Sequence, residues 1–495
     1  MSAEHVEARP GAYADSVTLM RVSADVRKAA GVEAALIAMA TDLNLGLLPA
    51  MGLRAPPQAG PNDLLIAIRA SDRAALAAAI GGVDAALTAR PVSPAGLSAA
   101  LPPRTTSTAI RAAGPGLALI SVPGGFAFPE AMDALQAGCD VMIFSDNMPV
   151  EQEIVLKDLA AERGLLVMGP DCGTAIVGGV GLGFSHTVAA GPIGLVSASG
   201  TGAQQMLCLL DHAGVGVSAA LGVGGRDLSA EVGGRSARAA LVALDEDPGT
   251  ELIIVVSKPP APGVAAELRE FAATLSTPVQ FALVAPGEPD LTAATEEALR
   301  AMAVPVPTWP QWPVIDHRGA AAAEGALHGL FAGGTLCDEA MVIASGWLGP
   351  IWSNIPLRPE WGLEPADLLA AGDPRHTMID FGDDELTAGR AHPMIDQSLR
   401  LERLAAAAQD PATSVILLDV VLGHGAHPDP AAELSPAIAL ARARKIAVVV
   451  TLIGAASDPQ HLTQQASILQ AAGAHVFASN AQAARFACQR LASTS

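Results

Sequence analysis

The sequence predicts an α/β protein built from several parallel sheets, and three observations predict it. Short β-branched runs alternate with alanine-rich helical segments along most of the 495 residues, the pattern of successive βαβ units. A chain of 495 residues accommodates about three to four domains at roughly 100–200 residues each. The rhythm also repeats. In the middle of the chain a helix opens at Gly200-Thr201, "GGRDL" (224–228) follows a strand, and "DEDPGTELIIVVSKPPAPG" (245–263) supplies the next strand and turn. In the last third a helix opens at Gly334-Thr335, "FGDDEL" (381–386) follows a strand, and "AQDPATSVILLDVVLGHGAHPDP" (408–430) supplies the matching strand and turn. Two lobes of one kind follow, each with a glycine turn at the carboxyl ends of its strands, where ligands bind in such sheets.

In chain order, residues 1–95 read as a small α/β domain: the run "SVTLMRVS", a helix over "GVEAALIAMATDLN", the run "NDLLIAIRA" and a second helix. "ARPVSPAGLSAALPPRTT" is a Pro/Ser/Gly-bearing linker. From 110 to 190, "LALISVP", "DVMIFSD" and "GLLVMGPD", separated by helices, give a Rossmann-type sheet. The first lobe, 191–305, carries "IGLVSASGTGAQ", "VSAALGVGG", "ELIIVVSKPP" and "PVQFALVAPG". "VPVPTWPQWPVIDHRG" (304–319) reads as a surface linker, and "AMVIAS", "HTMIDFGDD", "VILLDVVLGHG" and "IAVVVTLIG" continue the rhythm through the second lobe, 320–495.

Composition narrows the function. A net charge of −21 and only 3% aromatic residues argue against nucleic acid, which needs positive charge and stacking platforms. The polar, acidic start "MSAEHVEARPGAYADS" does not read as a signal peptide. No window reaches the ~18–20 apolar residues of a membrane span. The five cysteines are widely spaced and without CxxC pairs, so neither a disulfide framework nor a zinc site is expected. The expectation is a soluble, cytoplasmic protein without a metal.

In "SASGTGAQ", Ser199, Gly200, Thr201 and Gly202 sit where a strand ends and a helix begins. Open backbone N–H groups and the helix dipole favour an anion there by ~0.3–2 kcal/mol; the alternative is a well-capped tight turn. Gly333, Gly334 and Thr335 are the second copy of this device. In "GVGGRDL", Gly224 and Gly225 make a loop with Arg226 and Asp227 at its rim, where Arg226 either grips an anion or forms a surface pair with Asp227. Lys258 ends a strand before two prolines. Asp171 reads as a turn former before an acid or base. Cys172, with no His or Lys close in sequence, reads as a small buried residue before a nucleophile. Asn147, Asp383, Arg390 and His392 lie on further turns. His424 and His427 share a Gly/Pro-rich loop that suits substrate contact better than a metal.

Taken together, "GLLVMGPDCGTAIVGG", "IGLVSASGTGAQ", "GVGGRDLSAEVGG", "VSKPP", "FAGGTLCDEA", "DFGDDELTAGRAHPMID" and "LLDVVLGHGAHPDPA" resemble the FdrA family, from about Tyr13 to the C-terminus. Its members are known as acyl-CoA synthetase-like proteins and as a subunit of oxamate carbamoyltransferase in allantoin degradation. The wider superfamily is that of succinyl-CoA synthetase. The resemblance implies a CoA-binding-like Rossmann domain and two flavodoxin-like ligase lobes whose glycine-started helices face one another around a phosphate. It places those starts at Ser199–Gly202 and at the loop Gly423, His424, Gly425. Synthetases of the superfamily carry a phosphorylated histidine in a "GHAGA"-like loop after the last strand of the first lobe. Here "ALVAPGEPDLTAA" (282–294) holds no histidine, and "SKPP" replaces the turn whose glutamate steadies it. No ATP-grasp domain is recognisable, and CoA, though possible, is not favoured. The resemblance implies a carbamoyltransferase subunit, working with companion subunits in a hetero-oligomer, with phosphate or carbamoyl phosphate as substrate; the alternatives are an acyl-CoA ligase-like protein or a non-catalytic scaffold.

Overall fold

The computed structural model describes residues 2–492 apart from 13, 15, 50, 58, 61, 89–102, 115, 315–324, 365–366, 368–372 and 388–389. Most of the first expected linker, and the second from 315 on, lie outside the described residues. Four sheets are present among them, two of three strands and two of six.

In the N-terminal sheet, Leu64–Ala70 lies between Ala3–Arg9 and Val32–Met39, all antiparallel. The expected elements are exchanged here: "SVTLMRVS" lies in the helix Ser16–Arg27, and the alanine-rich stretch expected as a helix is the strand Val32–Met39. Ala35, Ile37 and Met39 enter one core and Leu36 and Ala38 another. With both faces covered, the strand loses its alternation, and a short apolar run is then indistinguishable from a helix by period. In the helix, Leu19, Val22 and Val26 recur at helical spacing against the first of those cores.

The Rossmann-type region is a parallel sheet of Leu117–Ile120, Asp140–Ile143 and Val167–Met168 in chain order, with helices Gly124–Gln136 and Val150–Arg163. It contains, among the described residues, no reversal of strand order, the feature at which such sheets bind dinucleotides. Thr174–Val177 and Val180–Gly183, inside the expected 110–190 domain, form an antiparallel hairpin on the edge of the next sheet instead.

That sheet runs Val279–Leu283, Leu252–Ser257, Ala190–Ala198, Val217–Gly222, with the four strands parallel. The second lobe runs Ala474–Phe477, Ala447–Ile453, Thr413–Val421, Ala326–Phe331, Thr377–Asp380, also parallel. Both follow the flavodoxin-like order, in which the first strand lies beside the third. The repeat read from the sequence is thus a repeat of topology. Two readings change in the second lobe. "AMVIAS" is part of the helix Gly334–Leu348, and the strand before it is Ala326–Phe331. The Pro/Trp stretch is not a surface linker: Gln311–Trp312 pairs antiparallel with Ala474–Phe477, and Trp309 is 3% exposed with its indole N–H donating to Glu296 Oε1 at 2.9 Å.

The helices Gly200–His212 and Gly334–Leu348 follow the first strand of each lobe and pack in one core together with Ala483, Ala484 and Ala487. Every residue from Thr201 to Leu210 is buried, because one side faces its own sheet and the other faces the second lobe. No helix among the described residues is long and apolar enough to cross a membrane.

Candidate functional site

The two glycine-started helices meet at their N-termini. Ser199 caps the first; its Oγ accepts from Gly202 N at 2.9 Å and donates to Thr335 Oγ1, on the second helix, at 2.7 Å. Gly333 lies against Thr201, so that a Cβ at Gly333 would stand 2.6–2.8 Å from that side chain. Glycine is required by this close approach and not by its φ of −116°. Ala203 N and Cys337 N close the first turns. The N–H groups of Gly200, Thr201, Gly334, Thr335 and Leu336 have no partner among the described residues. Two helix dipoles and these open donors therefore converge on one spot, which favours an anion.

Gly333 is an exception within this set. Its N–H and that of Ala332 donate to Asp419 at 2.9 and 2.7 Å, and Asp419 pairs with the buried Arg400 at 2.6 Å. The chain's own carboxylate thus fixes the strand-to-helix turn of the second lobe. The expected partner loop Gly423–Gly425 is not the second helix start. Gly423, at φ 101°, is wedged against Ser185 and His186; His424 N donates to Ser185 O at 2.7 Å and its ring meets Thr187 Oγ1 at 3.1 Å. Gly425 packs on Phe184. This loop latches the lobes together, as does the buried pair His186–Asp458, joined at 2.6 Å.

Around the helix starts stand groups that sequence reading missed. Asp338, one turn beyond Gly334 on the same face, is 8% exposed and makes no hydrogen bond or ion pair among the described residues. Burial pushes it up to about 7 against the pull of Lys258. Asp380 ends the neighbouring strand; its Oδ2 would lie 2.6 Å from a Cβ on Gly334. Burial also brings Asp380 to about 7, against the Gly382 N–H and with the help of Asp383, Asp419 and Asp338. Lys258 is exposed and unpaired among the described residues, and a Cβ on Gly225 would lie 3.5 Å from its Nζ and 3.0 Å from Asp171 Oδ2. Asp171, at φ 58°, and Asn147, at φ 56°, occupy exposed turns at this rim. The signal for Asp338 was present in "GGTLCDEA": two adjacent carboxylates, Asp338 and Glu339, inside a largely apolar helix.

The remaining candidates are placed elsewhere or are already engaged. Asp227 is not at a rim: it is fully buried, bonded to Lys157 at 2.8 Å and to Ser236 N and Ala237 N at 3.1 and 2.9 Å. Arg226 does not pair with it; its guanidinium holds Glu153 at 3.0 Å and Met148 O at 2.7 Å. Gly224, at φ 92°, would place a Cβ 2.3 Å from Pro170 O. Cys172 is buried, which pushes its thiol up to about 12 and agrees with a packing role. Asp383 caps the turn at Glu385. His392 stacks near Phe184 at 5.6 Å, and burial together with Arg400 lowers it to about 4. Arg390 lines a small cavity with Arg27 and Asp396. His427 lies at the N-terminal domain, between Lys28 Nζ at 3.0 Å and Glu433 at 3.3 Å.

Residues 330–490 match the CoA-ligase family, and residues 1–101 match the heavy metal-associated domain of AllF. Over 490 residues the chain is 39% identical to the uncharacterized protein YahF of Escherichia coli K12, covering 94% of each. The chain belongs to the YahF family. A smaller region of the chain is similar to ligases: over 160 residues it is 31% identical to the alpha subunit of ADP-forming succinate–CoA ligase from Aquifex aeolicus, 31% of this chain and 51% of that subunit. The chain thus spans about half the length of that subunit. The solved structure of PH0766 from Pyrococcus horikoshii aligns with 76% of the chain and 83% of its own at 15% identity and a TM-score of 0.29. Residues 330–490 are thus CoA-ligase-like. Within the AllF-like domain, residues 1–101 contain no cysteine.

Proposed function

We propose that the chain is the anion-holding subunit of a carbamoyltransferase, exchanging a carbamoyl group between an N-carbamoyl acid such as oxalurate and phosphate. The observation that supports it is the pair of helix starts joined through Ser199 and Thr335, with open N–H donors and no histidine in 282–294 to carry a phosphoryl group. A phosphate or carbamoyl phosphate would sit on Gly200, Thr201, Gly334 and Thr335. A phosphate oxygen attacks the carbamoyl carbon, the C–N bond breaks, and the departing nitrogen takes a proton, giving carbamoyl phosphate and oxamate. The contribution of the chain is orientation and stabilisation of oxyanion charge by backbone donors and Lys258. The AllF-like domain supports a place in allantoin degradation, with companion subunits completing the site.

The CoA-ligase match favours a second reading, in which an acyl phosphate reacts with CoA. One set of measurements separates the two. With companion subunits present, oxalurate and phosphate yield carbamoyl phosphate, and the chain takes no ³²P from ATP. CoA binding by calorimetry with thioester formation from an acyl phosphate and release of phosphate, and no carbamoyl phosphate, would establish the second reading instead.

A further inference from the structure

The helix starts attract an anion, yet the side chains around them are mostly acidic. Asp338 and Asp380 flank Gly334, Asp171 faces Gly225, and Asp146, Asp383 and Asp384 add to the local charge. The opposing cations are few. Arg226 is committed to Glu153, and Arg400 to Asp419, which leaves Lys258 as the unpaired cation among the described residues at this rim. A dianion entering beside two ionised carboxylates in a buried site would be repelled more strongly than helix dipoles attract it. The site therefore has to neutralise a carboxylate as the anion arrives.

Asp380 is the less suited of the two. Its Oδ1 accepts from Gly382 N at 2.8 Å, a hydrogen bond that favours the carboxylate although burial raises Asp380 as it raises Asp338. Asp338 is more than nine-tenths buried and unpartnered among the described residues. It lies on the face of the helix that begins with the open donors, one turn from Gly334. Thr201, 8% exposed and with a hydroxyl also unpartnered among the described residues, stands against Gly333 at the start of the same helix. Two mostly buried polar side chains without partners thus stand beside the open donors, available to a ligand.

We propose that Asp338 is the acid–base residue of this site, protonated when the anion is bound and donating that proton to the departing nitrogen. The assignment rests on the anion-holding reading above. In the transfer, phosphate oxygen bonds to the carbamoyl carbon, the C–N pair of electrons goes to nitrogen, and the proton of Asp338 joins it. Asp338 is left ionised, its charge helps expel the products, and it regains the proton that hydrogen phosphate sheds on becoming carbamoyl phosphate.

Full-length protein is titrated with inorganic sulfate, which stays a dianion at pH 6 and pH 8, so that any pH dependence belongs to the protein. With Asp338 near 7 and binding restricted to its protonated form, wild-type affinity falls about tenfold from pH 6 to pH 8. Asp338→Asn, which removes no hydrogen bond, binds about tenfold more tightly than wild type at pH 8 and loses the dependence, while Asp380→Asn retains it. The same Asp338→Asn variant loses carbamoyl transfer although it binds the anion, and Asp338→Glu recovers part of the rate. A tenfold fall that persists in Asp338→Asn would overturn the assignment and leave the anion site standing. No sulfate or phosphate binding by wild type at either pH would overturn the functional reading and the assignment together.

Discussion

The contact between Gly333 and Thr201 makes the convergence of the two helix starts testable by one methyl group. In Gly333→Ala the new Cβ would lie 2.6 Å from Thr201 Cγ2 and 2.8 Å from its Cβ and Oγ1. Carbon atoms rest at about 3.5–4.0 Å, so the helix starts have to separate by roughly 1 Å. Thr201 cannot swing away cheaply, because its β-branched side chain is stiff and its helix is buried from Thr201 to Leu210. The backbone at Gly333 has an ordinary φ of −116°, so no conformational strain is added. Overpacking of this kind costs about 1–3 kcal/mol, read as a shift of the urea midpoint without a change of slope. Separation also removes one helix start from the anion, a loss of ~0.3–2 kcal/mol, or about two- to thirty-fold in sulfate affinity. Wild-type stability together with wild-type affinity in Gly333→Ala would refute the close approach of the two lobes.

Ser199→Ala removes an N-cap and the hydroxyl contact to Thr335; at about 1 kcal/mol each, thermal melts should show a loss near 2 kcal/mol, and no loss would refute the lobe-bridging role. Asp227→Ala leaves the buried ammonium of Lys157 with Glu153 as its single counter-charge, beside the Val223 carbonyl, so chemical denaturation should show a loss of about 3–5 kcal/mol; the double variant Asp227→Ala, Lys157→Met should recover part of it. Burial pushes Glu433 up, but hydrogen bonds from His427 and Lys28 outweigh it and hold the carboxyl at about 2. A carboxyl depressed below its unfolded value of ~4.3 stabilises the folded chain above that pH and ceases to do so as pH falls towards 2. The stability difference between wild type and Glu433→Gln should therefore be present at pH 6 and shrink below pH 4; a difference independent of pH would refute the contribution of the charge.

Several features were legible because they are local. Alternating β-branched runs and alanine-rich helices announce parallel α/β sheets, and a glycine start followed at fixed order by an acidic turn and an Asp-Pro reveals two lobes of one topology. Ser199 as a cap follows from hydroxyl chemistry at a strand-to-helix turn. Where both faces of an element are covered, the local signal fails. The strand Val32–Met39 has no alternation because two cores flank it, and the helix Gly200–His212 has no polar stripe because a second lobe takes its outer side.

By itself, then, the sequence determined the class of sheet, the duplication and the two glycine-started helices, since each depends on residues close together in the chain. Only the tertiary structure decided that Gly334, and not the loop at Gly423, begins the helix facing Gly200. It also turned Asp227 from a rim residue into a buried partner of Lys157, and brought Asp338, Asp380 and Lys258 around one spot. Those placements join residues far apart in sequence. They follow from how two lobes bury a shared apolar core, which no spacing within either lobe encodes.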